Sequence, residues 1–456
     1  MIRMGLAEAA AAVDGRLIGG DAAFAGISTD SRKLSPGCLF VALRGPNFNG
    51  HDFLAAAADA GAAGALIEVD ERGRLPAIEV ADSLQALGRL ANHWRSGSQA
   101  RVIGLTGSNG KTTLKEMLAA ILACRGSVMA TTGNLNNAIG VPLTLCRLAD
   151  EQFAVIEMGA NHAGEIDYLT GLVQPDIAIL NNAGRAHLEG FGSLEGVARA
   201  KAEIINGLRD GGTFVFNADD RFASMWRELA ANRRMRTFGV TRPADVSSVA
   251  DDYRVEWRDG SFETRFSVTC EQGSTEIALR LAGAHNRMNA LAAIAAALEA
   301  GATLENAAEG LSTLRPVPGR LCPLPAVAGA TLVDDSYNAN PDSVLAALQV
   351  LVAAPGRRTL VLGDLAELGA DAGSLHRQLG EAAAAAGIER LLTCGDLSRE
   401  ASRAFPREAR HFDVRDTLID ALRHELGGDD VVLVKGSRSA RMDEVVTSLA
   451  AEDAAC

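Results

Sequence analysis

No Cys-x-x-Cys pair occurs in this 456-residue chain, and its seven cysteines, at 38, 124, 146, 270, 322, 394 and 456, lie far apart. Such spacing signals neither a disulfide framework nor a zinc ribbon, and casts most of them as small buried hydrophobes of a reducing compartment. A basic surplus is missing too. Lys and Arg number 44 against 57 Asp and Glu, a formal charge of −13, which argues against a polyanion-binding face and so against nucleic acid as a partner. No apolar run reaches about 18 residues, so no membrane span is expected. Glu8 and Asp14 interrupt the alanine-rich start, which leaves no secretory signal and makes the cytoplasm the expected compartment. Proline is scarce, 13 beside 47 glycines, while 48% of residues are apolar and 22% charged. That composition is globular, neither disordered nor fibrous.

At about 150 residues per domain the length predicts three domains. Two joints suit that division. RSGSQAR (Arg95 to Arg101) is small and polar and precedes an apolar strand; LRPVPGR (Leu314 to Arg320) carries Pro316, Pro318 and Gly319, a stiff non-helical connector. The expected units are residues 1–98, 99–314 and 315–456. In the second, RVIGL, FAVIEMG, DIAILNN and GTFVFN read as strands separated by helical stretches. In the third, ATLVDDS, RRTLVLGD, ERLLTCGD and DVVLVKG repeat the rhythm, with Asn340 as N-cap and Pro341 opening a helix. Alternation of this kind predicts α/β domains built on parallel sheets. From Val240 to Leu281 the pattern turns β-rich, an excursion inside the middle unit.

The sharpest chemical signal is GLTGSNGKTT, Gly104 to Thr113. A strand runs into a glycine turn that opens a helix, so backbone N–H groups can surround phosphate oxygens at the positive end of the helix dipole. Lys111 then reaches the β/γ-phosphates, and the Thr112 hydroxyl is placed to bind magnesium. Leu105 stands where the strict G-x-x-x-x-G-K-T pattern has its first glycine. Glu157, at the tip of an apolar strand, is a candidate Mg²⁺ ligand, and His187 after the next strand is a second. Val197, Lys201, Ile204 and Leu208 stand at helical spacing, which puts an ammonium in an apolar stripe. Such a lysine neutralises a carboxylate, contacts phosphate, is chemically modified, or snorkels at the stripe's edge. Asn286 and Asn289 share a helix face, suited to a base or a sugar or simply to capping. Asp334, Asp335, Asn338 and Asn340 occupy a strand-to-helix crossover, the ligand edge of an open α/β sheet. KGSRSARM brings Lys435, Arg438 and Arg441 to that same edge, which suits an anionic substrate group.

TGSNGKTT, the Glu157 strand, His187, KAEI, GAHNRMNA, RPVPGR and DDSYNANP follow one another in an order that resembles the Mur ligases of peptidoglycan synthesis. STDSRKLSPGCLFVALRGPNFNGHDF is similar to the UDP-binding module of the later enzymes of that set, and GNLNNAIGVPLTL and VLGDLAELG resemble its last member. The resemblance implies a UDP-substrate domain, a central P-loop ATPase domain and a C-terminal Rossmann-like domain, in a monomer. It implies that UDP-N-acetylmuramoyl-tripeptide is activated by ATP as an acyl phosphate and joined to D-alanyl-D-alanine. Gly107, Ser108, Asn109, Gly110, Lys111, Thr112 and Thr113 would hold the ATP phosphates. Asn137 and Arg320 would approach the γ-phosphate, Asn286 the adenine and Asp335 the ribose, with Asn338 a further nucleotide contact. Thr112 and Glu157 would bind one Mg²⁺, His187 a second, supported by a carbamylated Lys201. Ser31, Arg32, Arg44 and Gly45 look like the uridine-diphosphate contacts. Rival readings fit less well: the diaminopimelate-adding ligase has a D-N-P-R segment, a GTPase needs N-K-x-D, and neither tetrapeptide occurs. A folylpolyglutamate synthetase would lack the N-terminal module, and a silent scaffold would not keep Lys111, Glu157 and His187 together.

Overall fold

The computed structural model describes residues 1–45, 48–68, 74–258, 260–451 and 454. Among these the strands form three larger sheets and two small pairs. The expected end of the third unit at 456, with Cys456, lies outside the described residues.

The first sheet runs in the order Arg16–Ile18, Ala77–Glu79, Gly64–Ile67, Leu39–Val41, Ile27–Ser28, parallel except for its first strand. Helix Ser83–Ser96 leaves it, capped by Asp82, whose carboxylate accepts from the Gln85 amide. Its apolar face, including Leu87, Leu90 and Ala91, shares a core with Val102, Ala154, Ile156 and Leu180 of the next sheet.

The central sheet has ten strands. Seven run parallel, in the order Val128–Ala130, Phe153–Glu157, Arg101–Thr106, Ile177–Leu180, Thr213–Asn217, Arg234–Gly239, Val246–Ser247. Alternate residues of the inner strands bury opposite faces, as a sheet covered on both sides requires. Ile103, Leu105, Val155, Ile177 and Ile179 pack under helices Lys111–Ala123 and Ala284–Glu299. Val102, Ala154, Ile156, Ala178 and Leu180 pack on the other side. Helix Lys111–Ala123 buries Leu114, Met117, Leu118, Ile121 and Leu122, the 3.6-residue stripe its sequence carries. Strand Arg101–Thr106 is the first of this sheet in chain order yet lies between Phe153–Glu157 and Ile177–Leu180. The connections diverge at its C-terminal end, where open α/β sheets bind ligands. The β-rich excursion is present as Tyr253–Arg258, Ser261–Cys270 and Gly273–Leu279, joined antiparallel to the end of this sheet.

The third sheet runs Cys322–Pro325, Thr331–Asp335, Asp430–Lys435, Arg357–Gly363, Arg390–Cys394, Glu408–Phe412, parallel after its first strand. Helix Pro341–Ala353 begins where expected: Asn340 accepts from the Ser343 amide in a capping box, with Pro341 in the first turn. Two expectations fail locally. The helix carrying Lys201 is α-helical only over Leu194–Ala202 and tightens into a 3₁₀ turn at Glu203–Ile205, so one continuous stripe to Leu208 does not form, although Val197, Ile204 and Leu208 are all buried. Cys38, Cys146 and Cys394 are buried free thiols and Cys124 and Cys270 half-buried ones, but Cys322 is disulfide-bonded, a pairing that no local spacing could signal.

Candidate active site

A cavity of about 1300 Å³ opens where the central and C-terminal sheets face one another, reached also by Leu84 and Gln85 of helix Ser83–Ser96. Its floor is the turn after strand Arg101–Thr106. Gly110 there has φ +77°, and a Cβ on it would stand 2.4 Å from Oδ1 of Asn289, so conformation and space both demand glycine. Lys111, Thr112 and Thr113 open the helix, and their amides have no intrahelical acceptor. The amides of Ser108 and Asn109 are already taken: both donate to Oδ1 of Asn182, at 3.1 and 2.9 Å. Within the expected span from Gly107 to Thr113, the amides of Ser108 and Asn109 are thus engaged within the protein.

Lys111 folds over its own loop, donating from Nζ to the Gly107 carbonyl at 2.8 Å. Burial lowers its pKa, the charge of Glu157 works against that shift, and Arg320 adds to it. Glu157 is 2% exposed. Its Oε1 accepts from Nδ2 of Asn136 at 2.8 Å, while Oε2 is buried with no hydrogen-bond partner among the described residues. An anionic oxygen in that condition is costly unless a cation meets it. Among the described residues no group of three or more His, Cys, Asp or Glu is placed to hold a metal ion. A cation here would thus take Glu157 with hydroxyl, phosphate and water oxygens, a donor set that suits Mg²⁺; Thr112 lines the same cavity.

His187 caps a short helix in a left-handed conformation, φ 54°. Its Nδ1 meets Oε2 of Glu367, from the loop after strand Arg357–Gly363. Burial lowers the imidazole pKa, the Glu367 charge opposes this, and Lys111 and Lys201 reinforce it. Lys201 is 1% exposed. Its Nζ donates to the Ala160 carbonyl at 3.1 Å and lies 5.1 Å from the centre of the Phe191 ring. Burial, with Lys111 nearby, brings its pKa down to about 7. Of the readings open for this lysine, snorkelling is excluded by its burial, and chemical modification gains a partly neutral amine.

Arg320 stacks over Tyr337, 4.2 Å from the ring centre. Asp335 is buried and accepts from Lys435 Nζ at 2.6 Å; Lys435 also donates to the Asn338 carbonyl at 3.0 Å. Burial pushes the Asp335 carboxyl up and the Lys435 ammonium down, each held back by the other's charge. Asn338 is exposed, its side chain accepting from the Ala339 amide. Asn137, also exposed, uses Oδ1 to accept from the Ile139 and Gly140 amides. Asn286 is buried and already bonded, donating to the Ala282 carbonyl at 2.7 Å and accepting from Asn289 at 3.1 Å. All of these line the cavity.

Ser31, Arg32, Arg44 and Gly45 do not; they stand apart in the N-terminal unit. Arg32 is forked onto Asp30, with two contacts of 2.9 Å, and Arg44 pairs with Glu68 at 3.2 Å. Ser31 opens a 3₁₀ turn and Gly45 ends a short hairpin strand under the Phe48 ring. Sequence reasoning missed Asn136, Asn182, Arg185, Asp342 and Glu367. The Asn pair in NNAGRAH, directly after a strand beside the phosphate loop, was the one local clue.

Comparison with known proteins agrees in every part of the chain. Residues 23–95 match the Mur ligase family catalytic domain, 105–297 the Mur ligase middle domain, and 319–438 the Mur ligase glutamate ligase domain. The UDP-N-acetylmuramoyl-tripeptide–D-alanyl-D-alanine ligase of Escherichia coli (strain K12) is 46% identical over 98% of this chain and 99% of its own. The Bacillus subtilis (strain 168) ligase of the same name is 36% identical over 93% of each chain. A crystal structure of MurF from Acinetobacter baumannii superposes with a TM-score of 0.91 at 34% identity, covering 98% of both chains. MurF from Thermotoga maritima, solved in complex with ADP, gives 0.83 at 28% identity over 93% of this chain and 96% of that one. Shared over nearly its full length with relatives this similar, the sequence places the chain in the Mur ligase family.

Proposed function

We propose that this chain joins D-alanyl-D-alanine to UDP-N-acetylmuramoyl-tripeptide at the expense of ATP. The observation that carries the reading is the buried, unpartnered oxygen of Glu157 beside Lys111 at the mouth of the phosphate loop. A carboxylate is a poor electrophile, so its oxygen attacks the γ-phosphorus of ATP and ADP leaves. The acyl phosphate is then attacked at carbon by the amine of the dipeptide, and phosphate departs as the amide forms. The protein's part is alignment and charge neutralisation. Backbone amides between Gly107 and Thr113 and the Lys111 ammonium cradle the phosphates, and Arg320 supplies a second positive group. Magnesium, held by Glu157 and Thr112 with a second ion at His187, would neutralise phosphate charge. Lys201, buried and partly neutral, is suited to carry a carbamate facing that second ion.

On this reading residues 1–98 take the UDP moiety through Ser31, Arg32, Arg44 and Gly45, residues 99–314 bind ATP, and residues 315–456 deliver the amine. Asn137, Asn286, Asp335 and Asn338 complete the nucleotide pocket. The enzyme would work as a monomer in the cytoplasm, where ATP and UDP-linked precursors are made. No helix among the described residues is long and apolar enough to cross a membrane.

The test is phosphate release from ATP with UDP-N-acetylmuramoyl-tripeptide, with and without D-alanyl-D-alanine, for wild type and Lys111→Ala. Release that needs both substrates, yields the pentapeptide and disappears in the variant is the expected result. Well-folded protein that releases no phosphate with either a diaminopimelate- or a lysine-containing tripeptide would sink the reading.

A further inference from the structure

Helix Pro341–Ala353 meets the central unit end-on. Its cap, Asn340, donates from Nδ2 to Oδ1 of Asn109 in the phosphate loop at 2.6 Å. Two residues on, Asp342 is gripped by Arg185: the Arg185 amide donates to Oδ2 at 2.7 Å and the guanidinium Nε to Oδ1 at 2.8 Å. Arg185 belongs to the segment Asn181–His187, which is itself tied to the phosphate loop. The Gly184 amide donates to Oγ of Ser108 at 2.9 Å, and Oδ1 of Asn182 takes the Ser108 and Asn109 amides. The contacts close a ring: Asn109 to Asn340, Asp342 to Arg185, Gly184 to Ser108. The fit is tight, since a Cβ on Gly184 would stand 2.9 Å from Asp342 Oδ2.

We propose that Arg185 is a positioning residue, which through Asp342 docks the C-terminal unit on the phosphate loop in the register that ligation needs. Both side chains are 34% exposed at the cavity rim, where an ion pair adds little to fold stability. The guanidinium and the amide approach one carboxylate from fixed directions, so the contact sets orientation instead. A separate apolar contact keeps the units together when this ring is broken. Phe262, edge-on to Trp257 with ring centres 4.6 Å apart, is buried with Val344, Leu348 and Leu351 of the same helix. Loss of the polar ring therefore changes the angle of docking, and an error of about 1 Å between reacting groups can cost up to about a hundredfold in rate.

The proposal rests on the ligase reading, so its test has one arm that needs no turnover. Arg185→Ala, Asp342→Asn and the double variant of the full chain are compared with wild type in phosphate release, thermal melting and small-angle X-ray scattering with a non-hydrolysable ATP analogue. Each single variant should lose about tenfold in kcat, keep the wild-type KM for the UDP-tripeptide and the wild-type Tm, and scatter with a larger radius of gyration. The double variant should be no worse than the worse single one, because the two residues act through one contact. Arg185→Lys, which keeps the charge without the fork, should recover part of the rate. Unchanged kcat, losses that multiply in the double variant, or losses that track a lowered Tm would each overturn the proposal. Should wild type not ligate at all, the ligase reading falls by itself. Scattering still decides the docking role then: expansion of the variants supports it and identical curves reject it.

Discussion

Asn136 holds one oxygen of Glu157 at 2.8 Å and leaves the other buried without a hydrogen-bond partner among the described residues. The amide orients the carboxylate and spends one acceptor, so the other oxygen stays open to a cation, with the Lys111 charge already nearby. Glu157→Gln keeps the shape and the Asn136 contact while removing that charge. The variant should melt no higher than wild type, because the buried Lys111 ammonium loses the charge that opposes its own shift. Phosphate release should fall by about a hundredfold or more, and titrating magnesium should not restore it. Release at the wild-type rate would show that the orphan oxygen has no role in turnover.

Lys201 links burial to pH. Its pKa of about 7, against an ordinary 10.5, means that below pH 7 both folded and unfolded chains carry the proton and the fold bears the full cost of a buried ammonium. Between the two values the unfolded chain binds more protons than the folded one, so stability rises with pH by up to about 1.4 kcal/mol per unit. Lys201→Met has no such dependence. In buffers free of bicarbonate the variant should be more stable than wild type near pH 6 by denaturant unfolding, and the gap should narrow toward pH 9. A gap of constant size would mean that Lys201 titrates alike in the folded and unfolded chains.

The contiguous parts of this site were legible. A strand, a glycine turn and Lys-Thr-Thr in one run announce a phosphate loop because loop and helix are neighbours in the chain, and the 3.6-residue stripe of Lys111–Ala123 and the Asn340–Pro341 helix start are equally local. What escaped was set by topology. Glu367 reaches His187 across 180 residues and Asp342 reaches Arg185 across 157, and no periodicity relates such partners. Asn182 escaped differently: an asparagine after a strand reads as a turn residue until the sheet order puts it beside Ser108 and Asn109. Apolar spacing continues from the Lys201 helix through a 3₁₀ turn without a break, so the pattern alone does not mark where the α-helix ends.

Gly110 is a point where geometry permits one residue type. Alanine there would hold φ +77° and place its Cβ against Asn289 Oδ1, and Asn289 cannot retreat. Its own Oδ1 accepts from Asn181 at 2.8 Å and its Nδ2 donates to Asn286 at 3.1 Å. Backbone strain of this kind costs about 1–3 kcal/mol, before the clash is counted. Gly110→Ala should lower the Tm and abolish ATP binding measured by calorimetry, with the second change Asn289→Ser recovering part of the Tm. A variant that binds ATP normally would show that the turn accepts a side chain.

The buried pair of Asp335 and Lys435, 2.6 Å apart, should show its coupling when each partner is removed. Asp335→Asn leaves an ammonium that is 2% exposed without its counter-charge, and should cost about 3–5 kcal/mol. Lys435→Met leaves a carboxyl whose pKa burial already raises and which the lost lysine no longer pulls down. That group has a folded pKa above its unfolded one, so its contribution is most favourable below the unfolded value and is lost as pH rises through the folded one. Lys435→Met should therefore be least destabilised in mild acid and most at neutral pH, whereas the deficit of Asp335→Asn should not shrink on acidification. The combined variant Asp335→Asn with Lys435→Met carries neither charge and should recover most of the lost stability. Denaturant midpoints of the four proteins at two pH values decide the matter. If the combined variant is as unstable as the sum of the single ones, the two groups do not stabilise one another, and the pair is a coincidence of packing.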